Sequence, residues 1–388
     1  MKKFTADYVY TVEDKTPIPN GMVITDDNGK IISVSKYNEN DNDVECHKGV
    51  IVPGFINAHC HLELSHLKGK IKEKKGLINF IKEVLKLRAS DDSVVQTAMR
   101  ETDKEMYKNG IVGVGDISNL PVSAEVKAES AIKYHTFIEM VGMDPAKAKD
   151  LIRKADEMKA AFENSGSVSI TPHAPYTLSK ALLKELRKYA KNKTNLVSIH
   201  NQESDEENAL YRYRTGAFLK LYEDLGINID HFVSMSKNTI QALAPLFPEN
   251  QNILLVHNIF TSFKDVFMMH RFAKDVFWCF CPASNLYIEN KLPQIDFFRK
   301  SDALITLGTD SLASNKSLNI LKEMEIVKEN YKVDFEELLT WATINGAKFF
   351  GWDAELGSIK EGKTPGLNLI TNFKDGHISS KSEVVKLI

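Results

Sequence analysis

The sequence predicts an α/β protein: a (β/α)8 TIM-type barrel with a small β-sandwich domain built from both chain ends. Three observations lead there. Eight short β-like runs alternate with helical stretches through the middle of the chain, the pattern of parallel βα units. Both ends are strand-rich and punctuated by turn residues. No glycine-rich dinucleotide fingerprint or phosphate loop follows the first run, which counts against an open doubly wound sheet. The expected division is 1–50 and 353–388 for the small β domain and 51–352 for the barrel.

At the N-terminal end, Tyr8–Val12, Met22–Thr25 and Ile31–Ser35 read as strands, with Asn28-Gly29 as the hairpin turn between the last two. At the other end, 367–372 and 383–388 read as strands of the same small domain. The barrel runs are Val50–Ala58, Ile111–Asp116, Tyr134–Ile138, Val168–His173, Leu196–His200, Ile253–His257, Val276–Cys281 and Ala303–Asp310, with helices such as Ser93–Lys108 and Lys180–Tyr189 between them. No repeat or low-complexity tract interrupts the pattern. The basic stretch Lys70–Lys75 reads as a solvated loop.

The 388 residues, 43% hydrophobic and 26% charged, are ordinary globular composition. A net charge of −2 supplies no basic field for nucleic acid or anionic lipid. The chain meets Asp7 before any apolar stretch of the signal-peptide kind, and no apolar run is long enough to span a bilayer. The expectation is a soluble cytoplasmic protein with a small-molecule substrate and no nucleic-acid or membrane partner. Four cysteines, at 46, 60, 279 and 281, are too few for a disulfide framework. Cys279 and Cys281 share a strand face and read as small buried hydrophobes.

Chemistry concentrates at the run ends. His59 and His61 are two apart and share a strand face, with Cys60 on the other. His173, His200, His257 and Asp310 close four later runs. In a parallel barrel these C-terminal strand ends open onto one face, so the residues converge there. His47, His135, His231, His270 and His377 are left to surface or packing roles, with His66 near enough to the first loop to be a pocket candidate.

This set, with Pro53–His59, Gly308–Ser311 and the turn Gly357–Lys363, resembles the amidohydrolase superfamily over essentially the whole chain. Thr171–Thr177 and His200–Glu203 resemble its aminopurine deaminases, and His61-Leu62-Glu63 the aminofutalosine deaminase branch.

The resemblance implies that His59, His61, His200 and Asp310 hold one divalent metal with a water. Zinc suits those donors best, and iron(II) and manganese are compatible with them. It implies attack of the metal-bound hydroxide on an aminopurine nucleoside-type substrate, specifically 6-amino-6-deoxyfutalosine of the menaquinone pathway, with loss of ammonia. Asp310 would take the water's proton, His257 would steady the developing charge and Glu203 would act as general acid-base. Glu63, His173 and Asn285 would contact substrate, with Glu63 and Asn285 equally open to a loop-ordering role. A homodimer is implied as well. The alternatives are another ring (S-adenosylhomocysteine or adenosine, guanine, a cytosine-like base, a chlorotriazine) or a barrel kept as a non-catalytic binding module.

The chain departs from the family pattern in three places. Cys60 replaces a more usual threonine, Asn201 and Gln202 are polar where apolar residues are common, and Thr364-Pro365-Gly366-Leu367 replaces Ala-Asp-Leu. No fourth-strand lysine stands ready to bridge two metals, which favours one.

Overall fold

The computed structural model describes residues 1–388 except 233–237, 249, 270 and 272–274; His270, expected in a surface or packing role, lies outside the described residues. Fifteen strands occur among those described. The first five are β1 (Lys2–Val9), β2 (Ile18–Thr25), β3 (Ile31–Lys36), β4 (Glu45–Cys46) and β5 (Val50–Pro53). Eight more form the barrel wall: β6 (Phe55–Cys60), β7 (Ile111–Ser118), β8 (Lys133–Met140), β9 (Ser167–Pro172), β10 (Val197–Asn201), β11 (Asn252–His257), β12 (Asp275–Phe280) and β13 (Leu304–Leu307). The last are β14 (Leu367–Thr371) and β15 (Glu383–Lys386).

β1 to β5 share one sheet with β14 and β15, in the order β15-β14-β5-β1-β2-β3 with β4 on β1. The expected hairpin joins β2 to β3, with Gly29 at φ +83° in its turn. The first strand begins at Lys2, earlier than the apolar run suggests, because Lys2 to Val9 pairs along the whole of β2.

The run Val50–Ala58, expected as one barrel strand, is two. It breaks at Gly54, where β5 stays in the end-built sheet and β6 enters the barrel, so that sheet reaches Pro53 rather than stopping at residue 50. Gly54 N donates to the carbonyls of Pro365 and Gly366, and a Cβ on Gly54 would stand 2.6 Å from the Pro365 oxygen. Only glycine lets the two segments approach so closely.

The eight barrel strands are parallel, in the consecutive orders β6-β7-β8-β9 and β10-β11-β12-β13. The two sheets meet at two seams where side chains replace part of the ladder. Between β9 and β10, Asn195 Oδ1 accepts from Ile170 N at 2.9 Å and Thr171 Oγ1 from Ser198 N at 2.8 Å. Between β13 and β6, Asn57 Oδ1 accepts from Thr309 N at 3.1 Å.

Inside the barrel lie Ile56, Ala58, Ile117, Phe137, Leu254, Val256, Phe277 and Cys279, with Phe349, Phe350 and Trp352 filling the end where the strands begin. Cys279 and Cys281 are buried in this cluster as small hydrophobes. A larger cluster packs the outer strand faces against the helices. No helix among the described residues is long and apolar enough to cross a membrane.

Candidate metal and active site

Backbone bonds at both seams come from the candidate residues. His200 N donates to His173 O at 3.0 Å, and Thr309 N and Asp310 N donate to His59 O at 3.0 and 3.1 Å. Gly308 permits the second contact: a Cβ there would lie 2.9 Å from His59 Cβ and 2.8 Å from Cys279 Sγ. Asp310 and His257 turn away from their strands at φ 56° and 72°, conformations held by the surrounding contacts.

Four donors converge. His61 Nε2 lies 3.1 Å from His59 Nε2 and 3.2 Å from His200 Nε2, and Asp310 Oδ1 is 3.5 Å from His61 Nε2 and 4.0 Å from His59 Nε2. Cys60 points away into the outer cluster, as strand alternation requires. His200 Nδ1 donates to His173 O at 2.8 Å, which leaves its Nε2 lone pair facing the other donors. Ser284 and Ser314 donate to Asp310 Oδ2 at 2.6 and 2.7 Å, leaving Oδ1 for the centre.

Burial, with neighbouring imidazoles, holds His59 and His200 well below the ordinary histidine range, in the neutral form that ligates metals. Burial alone would raise the Asp310 carboxyl, but His61, His257, His59 and Ser284 outweigh it and hold the group at about 2. Three imidazole nitrogens and a carboxylate oxygen fit one divalent cation, with zinc the best chemical match.

Above this centre opens a cavity of about 450 Å³. His61, Glu139, His173, His200, Glu203, His257 and Asp310 line its floor and near wall. Leu77, Phe80, Ile81, Val84 and Leu85 of the helix Leu77–Leu87, with Leu221, Tyr222, Leu225 and Ile227, line its apolar outer part. His257 Nδ1 meets Asn285 Oδ1 at 2.8 Å, and its Nε2 lies 3.7 Å from Glu203 Oε1. Burial, then the charges of Asp310 and Glu289, push the Glu203 carboxyl well above its usual range.

Three candidates stand off the cavity, Glu63 in the loop-ordering place left open for it. Glu63 does not line the cavity: Arg88 Nη2 donates to its Oε1 at 3.2 Å, and Asn119 N and Leu120 N donate to its Oε2 at 3.1 and 3.4 Å. Asn285 is also off the lining and bonds His257. His66 accepts a structural place, its Nε2 3.1 Å from Arg88 O.

Sequence reading missed Arg88, Asn119, Glu139 and Glu207. Glu139 follows directly on the third run, and an acid at a strand end was the available signal. Glu207 is fully buried, and its carboxyl oxygens accept from Gln202 N, Glu203 N and Ser204 N. The capping-box spacing from Ser204 to Glu207 could have identified it. Arg88 and Asn119 lie beyond strand ends and carried no such mark.

A model of the amidohydrolase family matches residues 50–386. The chain belongs to the amidohydrolase family. Its similar relatives include an adenosine deaminase of Helicobacter pylori, 27% identical over 305 residues that cover 77% of this chain and 74% of the relative. A 5-methylthioadenosine/S-adenosylhomocysteine deaminase of Thermococcus onnurineus is 25% identical, covering 95% and 88% of the two chains. Among solved structures, Helicobacter pylori aminofutalosine deaminase in complex with methylthio-coformycin superposes with a TM-score of 0.82 at 24% identity, covering 97% and 94%. An adenosine deaminase of Xanthomonas campestris with bound zinc gives 0.70 at 20% identity, covering 95% and 84%. These likenesses establish the barrel fold of this amidohydrolase.

Proposed function

We propose that this amidohydrolase is a metal-dependent hydrolytic deaminase of an adenosine-like nucleoside, held by His59, His61, His200 and Asp310 around one divalent ion, preferably zinc. The observation that carries the reading is Glu203: a buried carboxyl, pushed well above its usual range, that lines the same cavity as the donor cluster and lies 3.7 Å from His257 Nε2. When bound, the metal supplies water activated at neutral pH.

Water adds at the amine-bearing ring carbon, and the carbon–nitrogen bond breaks with release of ammonia. Glu203 gives its proton to the adjacent ring nitrogen, making that carbon electrophilic. Asp310 Oδ1 takes a proton from the water while its Oδ2 stays fixed by Ser284 and Ser314. His257, oriented by Asn285, steadies charge as the tetrahedral carbon forms. The released protons pass to the departing amine. The apolar outer wall leaves room for a substrate larger than a bare base.

Within this class 6-amino-6-deoxyfutalosine is the favoured substrate, supported by His61-Leu62-Glu63 and by the likeness to the Helicobacter pylori aminofutalosine deaminase. A cytoplasmic homodimer completes the reading. The test is ammonia release by separately prepared zinc and iron(II) forms on adenosine, 5′-methylthioadenosine, S-adenosylhomocysteine, 6-amino-6-deoxyfutalosine, guanine and cytosine. The highest kcat/KM is expected for 6-amino-6-deoxyfutalosine. Turnover of guanine or cytosine alone would replace the nucleoside reading, and no ammonia from any compound would end the deaminase reading.

A further inference from the structure

Two polar residues that depart from the family pattern, Asn201 and Gln202, stand between His200 and Glu203. The structure buries both, together with Asn258 and Thr261 of the segment that follows His257. The regular pairing of β10 with β11 ends at Asn201 opposite His257. Around that last rung the backbone leaves the strand conformation, with Gln202 at φ 45°, His257 at 72° and Asn258 at 58°. Residues other than glycine keep such angles only where their surroundings hold them.

The holding contacts are side-chain amides and one hydroxyl. Thr261 Oγ1 donates to Gln202 Oε1 at 2.7 Å and accepts from Asn201 Nδ2 at 3.4 Å. Asn201 Nδ2 also donates to Asn258 Oδ1 at 2.9 Å, and Asn258 Nδ2 donates to the Leu255 and Cys279 carbonyls at 2.7 and 3.2 Å. Gln202 Nε2 donates to Asn208 Oδ1 at 3.3 Å. Asn201, Gln202, Asn258 and Thr261 leave no buried polar atom unpaired, and none of the four lines the cavity. Glu207 fixes the amides of the turn that carries Glu203. The network, with Asn258 N donating to Asn201 O and Phe260 N to Gln202 O at 3.0 Å each, ties that turn to the strand end that carries His257.

We propose that Asn201, Gln202, Asn258 and Thr261 are positioning residues, a buried polar clasp that holds Glu203 in its working place beside His257. Apolar side chains at these positions would bury comparable surface, but their contact is non-directional, whereas a satisfied polar network fixes one arrangement. The clasp thereby sets the 3.7 Å spacing between the proton-carrying Glu203 and the imidazole that steadies charge. Resting on the deaminase reading, this assignment adds residues that reach the reaction only through Glu203.

The test uses the zinc-loaded full chain and the best nucleoside substrate of the ammonia panel. Thr261→Val removes the hydroxyl that joins the two strand ends while keeping the side chain's shape. It should lower kcat by about 10- to 100-fold, the cost of displacing a reacting group by up to about an ångström, with KM and zinc content close to the parent's. Thr261→Ser, which keeps the hydroxyl, should hold the parent's kcat. Because the clasp acts through Glu203, adding Thr261→Val to Glu203→Gln should lower kcat no further. Gln202→Leu combined with Thr261→Val strands neither partner of their bond and guards against a folding defect in the valine variant. Its Tm should lie near the parent's while kcat stays low. A kcat that recovers along with Tm in this pair would reduce the clasp to packing and overturn the proposal, as would a parent-like kcat in Thr261→Val. Losses that multiply in the Glu203→Gln background would overturn it too, and each of these results leaves the deaminase reading intact. Ammonia from no nucleoside with the parent protein would end both.

Discussion

Asp310 shows how one side chain is divided between two tasks. Two serine hydroxyls occupy Oδ2, and Oδ1 faces the three histidine nitrogens. Glu203 is its chemical opposite: among the described residues no arginine or lysine pairs with it, and burial pushes its carboxyl well above the usual range. In the proposed mechanism this divergence gives Glu203 the acid role and Asp310 the base role. Glu203→Gln keeps the shape but removes the group that can give and take a proton. It is expected to retain the parent's zinc content while kcat falls by about 100- to 10,000-fold, the usual worth of a general acid-base group. Metal analysis alongside ammonia kinetics measures both; turnover within threefold of the parent would remove Glu203 from the proton path.

At the scale of elements, β7 braces the loop that carries His61. Asp116 Oδ1 accepts from Leu62 N at 2.7 Å, and its Oδ2 pairs with Lys127 Nζ at 2.6 Å, both side chains being fully buried. Lys127 also donates to Ser118 and Thr136 and has the Phe162 ring 4.9 Å away. Removing one partner of such a pair strands the other charge. Asp116→Asn should therefore lower unfolding stability by about 3–5 kcal/mol, and adding Lys127→Met should recover much of it. Denaturant unfolding of the single and double variants decides this; a single-variant loss below ~1 kcal/mol would mean that the pair is solvated.

Elements of this kind also mark what the sequence could disclose. The strand ends were legible because a period of two and a parallel topology send their side chains to one place, which is why His59, His61, His200, His257 and Asp310 could be named. The break at Gly54 was not, because the apolar run is continuous and only contact with Pro365, far along the chain, divides it. The choice between substrate and loop for Glu63 stayed open for the same reason: its partner Arg88 lies beyond a helix that no spacing rule ties to it.

For the whole molecule, buried ionisable groups set the pH range of stability. Burial raises Glu207 and Glu323 from 4.5 to about 8, so between these values the folded chain holds protons that the unfolded chain has released. Their contribution is full below pH 4.5 and is lost as pH rises toward 8. Burial, with the charge of Lys127, lowers His135 from 6.5 to about 3, where its ring sits between Ser167 and Ser169. That contribution is full above pH 6.5 and is lost as pH falls toward 3. The opposing slopes overlap only between pH 4.5 and 6.5. Chelator-treated protein should therefore melt highest in that interval and lose Tm steadily from pH 6.5 to 8, where the carboxyls titrate without opposition. Glu323 accepts from Ala283 N and Asn315 Nδ2, both at 2.8 Å, and Glu323→Gln supplies a neutral group of the same shape. The variant should flatten the alkaline limb and leave the acid limb as it was. Scanning calorimetry across the range tests the pair of signs; a Tm that holds or rises from pH 6.5 to 8 in the parent would show that these carboxyls ionise in the folded protein as freely as in the unfolded chain.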